Sequence, residues 1–250
     1  MRRAVLLAAA FLVLTAAVQV GLLRSADRFA IHHLQPLADT SIALTVAPAD
    51  PVNALRPIVR GERSFLVSAA ALAFAPADTL SAIVLVAGAS VLFVRRGRPR
   101  AAVAWPAALA AALAIEGLGK LYVSQIQFAP VSIIFGVTVN GSYPSGHTTR
   151  SVLLGALATV LWPRARAWVI AWVLFVTTVL ELGGLHVPSD IAGGFLVGGG
   201  LACAAIAYGG GSTRAVKPDP AVQSGGHAPA QASRPADLQA PPGAADAGGR

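Results

Sequence analysis

The chain reads as an all-α, polytopic membrane helical bundle of about six transmembrane helices with both termini cytoplasmic. Three observations predict it. Of its 250 residues 55% are hydrophobic and only 12% charged, and the mean hydropathy is +0.66, too apolar and charge-poor for a soluble domain of this length. The apolar mass, mostly Ala, Val and Leu, falls in separate runs close to the ~20 residues a helix needs to cross a ~30 Å core while satisfying its own backbone groups. The basic residues cluster at the ends of those runs. The net charge of +8 and a pI near 11 therefore record membrane topology, and nucleic acid is not the expected partner.

The first span, 4–23, follows Arg2 and Arg3. Its apolar run is longer than the ~7–15-residue core of a cleavable signal, so it reads as an uncleaved anchor. Further spans are predicted at 78–95, 101–119, 146–163, 167–184 and 190–208. The basic stretch 95–100, Arg164 with Arg166, and Arg214 with Lys217 then share one side with the N-terminus. By the charge bias of membrane loops that side is the cytoplasm. Segments 24–77, 120–145 and 185–189 face the other way. Within the first of these, 65–75 is apolar but short and runs into Pro76-Ala77-Asp78. A span there would carry the basic stretch 95–100 outside, so it reads as interfacial or packed against the bundle.

From Gly209 onward the chain is Gly, Pro, Ala and Ser with scattered charges, without apolar periodicity to offset ordering entropy. It reads as a disordered cytoplasmic tail. The organisation expected is an anchor with an extracytoplasmic or interfacial segment over 1–77, a transmembrane core over 78–208 and the tail over 209–250. The single cysteine, Cys203, lies inside an apolar run, which leaves no intrachain disulfide and no thiolate metal site. No metal-ligand spacing, glycine-rich nucleotide loop or internal repeat is present in the sequence, and no cofactor is expected. Asn140-Gly141-Ser142 fits a glycosylation sequon, but Asn-Gly reads here as a turn. Nothing in the pattern sets an oligomeric state.

This topology brings Lys120, Ser145 with His147, and His186 with Asp190 to one depth on the outer side, at the ends of three separate spans. Singly, a lysine at a helix end snorkels and an interfacial histidine only hydrogen-bonds. Ionisable groups converging near lipid mark a functional site. Transfer of a phosphoryl group to a side chain needs a nucleophile in the right tautomer, a proton for the leaving oxygen and positive groups around the phosphate. His186 supplies the nucleophile, with Asp190, four residues on, holding the other ring nitrogen. His147 supplies the proton. Ser145 and the amides around Gly146 offer the positive end of a starting helix, Gly146 permits close approach of the phosphate, and Pro144 sets the entry.

These residues resemble the type 2 phosphatidic acid phosphatase family, lipid phosphate phosphatases that share a helical fold with vanadium haloperoxidases. The resemblance rests on Pro144-Ser145-Gly146-His147 and on His186-Val187-Pro188-Ser189-Asp190 followed by Ile191-Ala192-Gly193-Gly194, and it covers about 78–208. It implies a phosphohistidine on His186, leaving-group protonation by His147, orientation by Asp190, and phosphate contacts from Lys120 and Ser145, with no metal. Two arginines of the family pattern are replaced. Gln127 and Phe128 stand where Arg-Pro is expected after Lys120, and Val179 and Leu180 stand where Ser-Arg is expected before His186. Each lost charged hydrogen bond is worth roughly 1.5–3 kcal/mol.

Two substitutes are visible. Arg150, three residues after His147, either binds phosphate or pairs with Glu116 or Glu181. Arg56, Arg60 and Arg63 either fold over the site or anchor segment 24–77 at the interface. Glu116 is one turn before Lys120 and can pair with it; Glu181 holds Arg150 or meets a cationic substrate group. The expectation is a metal-independent phosphatase of a lipid phosphate or diphosphate, such as a polyprenyl carrier, phosphatidate or phosphatidylglycerol phosphate, at the outer face of the plasma membrane. The alternatives are a catalytically impaired relative that binds or transports a phospholipid, and a lipid phosphotransferase.

Overall fold

The computed structural model describes residues 1–34, 72–123, 132–134, 137–139, 141–182 and 185–210, which lie in one compact unit, Met1–Thr213. Its helices are α1 Arg2–Gln19, α2 Arg24–His33, α3 Thr79–Arg95, α4 Pro99–Tyr122, α5 Gly146–Leu161, α6 Arg166–Leu182 and α7 Pro188–Gly210. Single 3-10 turns at Ala75–Ala77 and Pro163–Ala165 lead into α3 and α6. Strands β1 Ser132–Ile134 and β2 Val137–Val139 form a two-stranded antiparallel ribbon, with Ser132 opposite Val139. This small addition to the all-helical plan falls in the connection between α4 and α5, where β-branched Ile133, Ile134, Val137, Thr138 and Val139 favour extended backbone.

Each of the six predicted spans contains a helix. The stretches Arg2–Gln19, Pro99–Tyr122, Pro163–Leu182 and Pro188–Gly210 are long and apolar enough to cross a membrane. Helix α3 is apolar but has 17 residues, and α5 has 16, a rise of about 24–26 Å. Large apolar side chains point outward on several helices, among them Leu12 and Val13 of α1 and Trp168, Leu174 and Phe175 of α6. Such surfaces suit lipid contact.

The main core gathers Phe93 of α3, Trp105 and Leu109 of α4, Leu153 and Leu157 of α5, and Ala202 of α7. Small residues bring the helix axes close, as is common between membrane helices. A Cβ on Gly194 would stand 2.7 Å from Thr148 Cβ and 2.8 Å from the Ser145 carbonyl oxygen. One on Gly198 would stand 2.6 Å from the Thr149 carbonyl oxygen. The bare face of α7 is therefore pressed on α5. Asp190, one turn before Gly194, shares that face, and the Ser145 backbone N–H donates to its carbonyl oxygen at 3.0 Å.

Helix α1 also braces the loop before α5. The Thr15 and Tyr143 hydroxyls are 2.9 Å apart, Phe11 stacks on the Tyr143 ring, and a Cβ on Gly193 would strike that ring. The apolar segment expected at 65–75 is described from residue 72 onward. There Phe74 is buried against Val176 and Leu180 of α6, and Trp172 donates to the Ala73 carbonyl oxygen at 2.8 Å. The rest of that segment, Arg56, Arg60 and Arg63, Gln127 and Phe128, Asn140, and the tail from 211 lie outside the described residues.

Candidate active site

The chain reverses sharply between α6 and α7. The Leu185 and His186 amides both donate to the Leu180 carbonyl oxygen, at 3.0 and 3.2 Å, and α7 begins at Pro188, whose missing N–H suits a first helical position. One turn of helix then carries Asp190 back beneath His186. His186 Nδ1 lies 3.1 Å from Asp190 Oδ2, and the aspartate is fully buried. Asp190 Oδ1 has no hydrogen-bond partner among the described residues. A buried carboxylate on Nδ1 fixes the orientation and tautomer of the ring.

The second histidine enters from α5. Ser145 caps that helix: its hydroxyl accepts from the Thr148 amide at 3.4 Å and from the Thr148 hydroxyl at 3.0 Å. His147, two positions later, has its Nε2 3.2 Å from Oδ1 of Asp78 and its ring edge-on to Phe74. His147 and His186 are within electrostatic reach of one another. The structure pairs His186 with Asp190, sets His147 on the helix that Ser145 caps, and places Asp78 beside His147. Asp78 was visible in the sequence only as the residue preceding α3; its partner is 69 residues away.

The cationic residues gather around Glu116 of α4. Its carboxylate accepts from Lys120 Nζ at 2.6 Å and from the Arg150 guanidinium, whose Nε also donates to the Ala77 carbonyl oxygen at 2.6 Å. Of the alternatives open for Arg150, the structure contains the pairing with Glu116. Gly146 departs from expectation in the same way. The space assigned to phosphate is filled by the Glu116 carboxylate, which a Cβ on residue 146 would overlap. Two cations with little access to water draw a carboxylate between them, and the absent side chain of Gly146 makes room for it.

Glu181 does not hold Arg150. It lies within electrostatic reach of Asp27 and Asp190, and its Oε1 has no hydrogen-bond partner among the described residues. Leu180 is buried with Phe74 and Val176. The α7 start holds one more group the sequence did not mark. Asp27 of α2 accepts from the Ser189 amide at 3.2 Å and from its hydroxyl at 2.8 Å. Burial pushes the Asp27 carboxyl above its usual range, the two Ser189 hydrogen bonds pull it down, and the Asp190 charge pushes it up. Among the described residues no group of three or more His, Cys, Asp or Glu is arranged to hold a metal ion.

No protein-family model matches the chain, and no curated protein matches it. Among solved structures it is similar to the crystal structure of the first transmembrane PAP2 type phosphatidylglycerolphosphate phosphatase from Bacillus subtilis. The identity is 18% and the TM-score 0.49, over 86% of this chain and 99% of that one.

Proposed function

We propose that the protein is a multi-pass membrane phosphatase of the type 2 phosphatidic acid phosphatase kind. It removes phosphate from a lipid phosphate or diphosphate at the extracytoplasmic face of the plasma membrane, without a metal. The observation that carries this reading is the pair His186 Nδ1 and Asp190 Oδ2 at 3.1 Å, beside a second histidine with a carboxylate of its own, His147 with Asp78.

In the first step His186 Nε2 attacks phosphorus, the bond to the lipid oxygen breaks, and His147 delivers a proton to that oxygen. Asp190 stabilises the positive imidazole ring through Nδ1. In the second step water attacks the phosphohistidine, the P–N bond breaks, and His147 takes the proton from water. Lys120 and Arg150, shared on Glu116, supply positive charge near the α5 N-terminus, the end of a helix that favours an anion.

One observation favours a second reading, a relative that binds or transports a phospholipid without hydrolysing it. Lys120 and Arg150 are both bound to Glu116, and Leu180, where the resemblance implies an arginine, packs in the core. A lipid phosphotransferase would use the same phosphohistidine with another acceptor in place of water.

The test is phosphate release by purified protein in detergent, from a panel of lipid phosphates and diphosphates with EDTA present, for wild type and His186→Ala. Release that requires His186 and ignores the chelator is expected. A folded wild type that releases no more than the variant would overturn the phosphatase and leave the lipid-binding reading. Transfer to an added alcohol or lipid acceptor in place of free phosphate would identify the transferase.

A further inference from the structure

The first turn of α7 cannot cap itself. Its N-cap position is Val187, whose side chain carries no oxygen, and Pro188 has no N–H. The Asp190 and Ile191 amides donate to the Val187 carbonyl oxygen at 3.0 and 3.2 Å. The amide left over is that of Ser189, the group an N-cap side chain ordinarily serves. It donates to Asp27, 162 residues away on α2, which also takes the Ser189 hydroxyl. Asp27 is thus the capping side chain of α7, supplied from another helix. Asp27 and Ala30 form the buried side of α2, while Phe29 on the same short helix is exposed.

The residue held this way is next to Asp190. The Asp190 carbonyl oxygen in turn accepts from Ser145, the cap of α5, which carries His147. A continuous set of hydrogen bonds therefore runs from α2 through the start of α7 to the start of α5. From it we infer that Asp27 is a positioning residue for the reaction centre: by capping α7 it fixes where Asp190 meets His186 Nδ1. The inference deepens the phosphatase reading and rests on that reading for its kinetic arm alone. The need is for an acceptor at residue 27 rather than for a charge. Asparagine caps helices as well as aspartate does, and its amide can donate to the Ser189 hydroxyl.

The experiment compares full-length wild type, Asp27→Ala, Asp27→Asn and Ser189→Ala in detergent micelles, with His186→Ala as reference. Turnover of a lipid phosphate is resolved into kcat and KM. Side-chain nitrogen NMR of 15N-histidine-labelled protein reads the His186 tautomer, assigned by the signal missing from His186→Ala. For Asp27→Ala, kcat should fall about 10-fold with KM nearly unchanged, less than the ~100-fold that a 1 Å misplacement can cost. The His186 Nδ1–H signal should move or broaden, and Asp27→Asn should restore both readouts. Asp27→Ala with wild-type kcat and a wild-type His186 signal would overturn the inference, as would a loss that Asp27→Asn fails to restore. If Asp27→Ala does not fold, Asp27→Asn decides: a kcat or a His186 signal away from wild type there overturns the inference, while Ser189→Ala, which deletes the hydroxyl bond and keeps the amide cap, should retain most of the wild-type kcat. A folded wild type without turnover would reject the phosphatase reading, and the NMR arm would still decide the role of Asp27.

Discussion

His147 on α5 and Asp78 at the start of α3 meet at 3.2 Å, Nε2 to Oδ1, across 69 residues of chain. The contact repeats on the second histidine the relationship that Asp190 has with the first. A ring held at one nitrogen has a fixed orientation, which the proton transfers proposed for His147 require. Asp78→Asn should therefore lower turnover by about 10-fold or more, within the ~10²–10⁴ that a positioned general acid contributes. Its effect should fall on kcat and leave the melting temperature near wild type. A variant with wild-type kcat would remove Asp78 from the mechanism.

Glu116 holds two cations, Lys120 and Arg150. Replacing it by glutamine leaves both with little water and no counter-charge, which costs about 3–5 kcal/mol. Glu116→Gln should melt well below wild type in detergent. Adding Arg150→Met to it should recover part of the loss, because one of the stranded charges is then gone. Equal melting of Glu116→Gln and wild type would show the cluster to be open to water.

The contact of α7 with α5 depends on bare Cα atoms. Gly194→Ala puts a methyl 2.7 Å from Thr148 Cβ, and the shift needed to relieve it should cost about 1–3 kcal/mol. It should also disturb the His186–Asp190 pair, one turn away. Gly117→Ala on α4 is the control. Nothing lies within 4 Å of the added methyl, so stability should hold or rise by up to about 1 kcal/mol. Similar melting of the two variants would contradict the packing described.

An arginine at this core position, Leu180→Arg, should not improve activity. The side chain would enter the Phe74 and Val176 cluster as an unpaired buried charge, at a cost of about 3 kcal/mol or more. A folded, more active Leu180→Arg would mean that this position opens toward the phosphate.

Asp27 makes stability depend on pH in a direction opposite to that of a salt-bridged carboxylate. Burial and the neighbouring Asp190 charge raise its pKa above the usual 3.8 despite the Ser189 bonds. The native state thus holds this proton to higher pH than the unfolded chain does. The resulting stabilisation is complete below 3.8 and is lost as pH rises through the folded-state pKa. Asp27→Asn carries no such titration. Its stability relative to wild type should therefore increase as pH is raised from about 4 towards neutrality, read by melting curves of the two proteins. A difference independent of pH would count against a protonated Asp27 in the native state.

The sequence by itself determined the helices and the two histidine stretches. Apolar runs near membrane length have few alternatives to helix, because lipid offers no partner for an open backbone. The four-residue step from His186 to Asp190 is local, so one helical turn closes it wherever the helix sits. Ser145 was legible as a helix start for the same reason. The tertiary structure decided everything that depends on which helices touch. Asp78 reaches His147, Asp27 caps α7, and Arg150 goes to Glu116 in preference to Glu181, through contacts 69, 162 and 34 residues apart. No periodicity encodes such distances. They follow from the glycine face that seats α7 on α5 and from the way buried charges and orphan amides take the nearest partner that packing delivers.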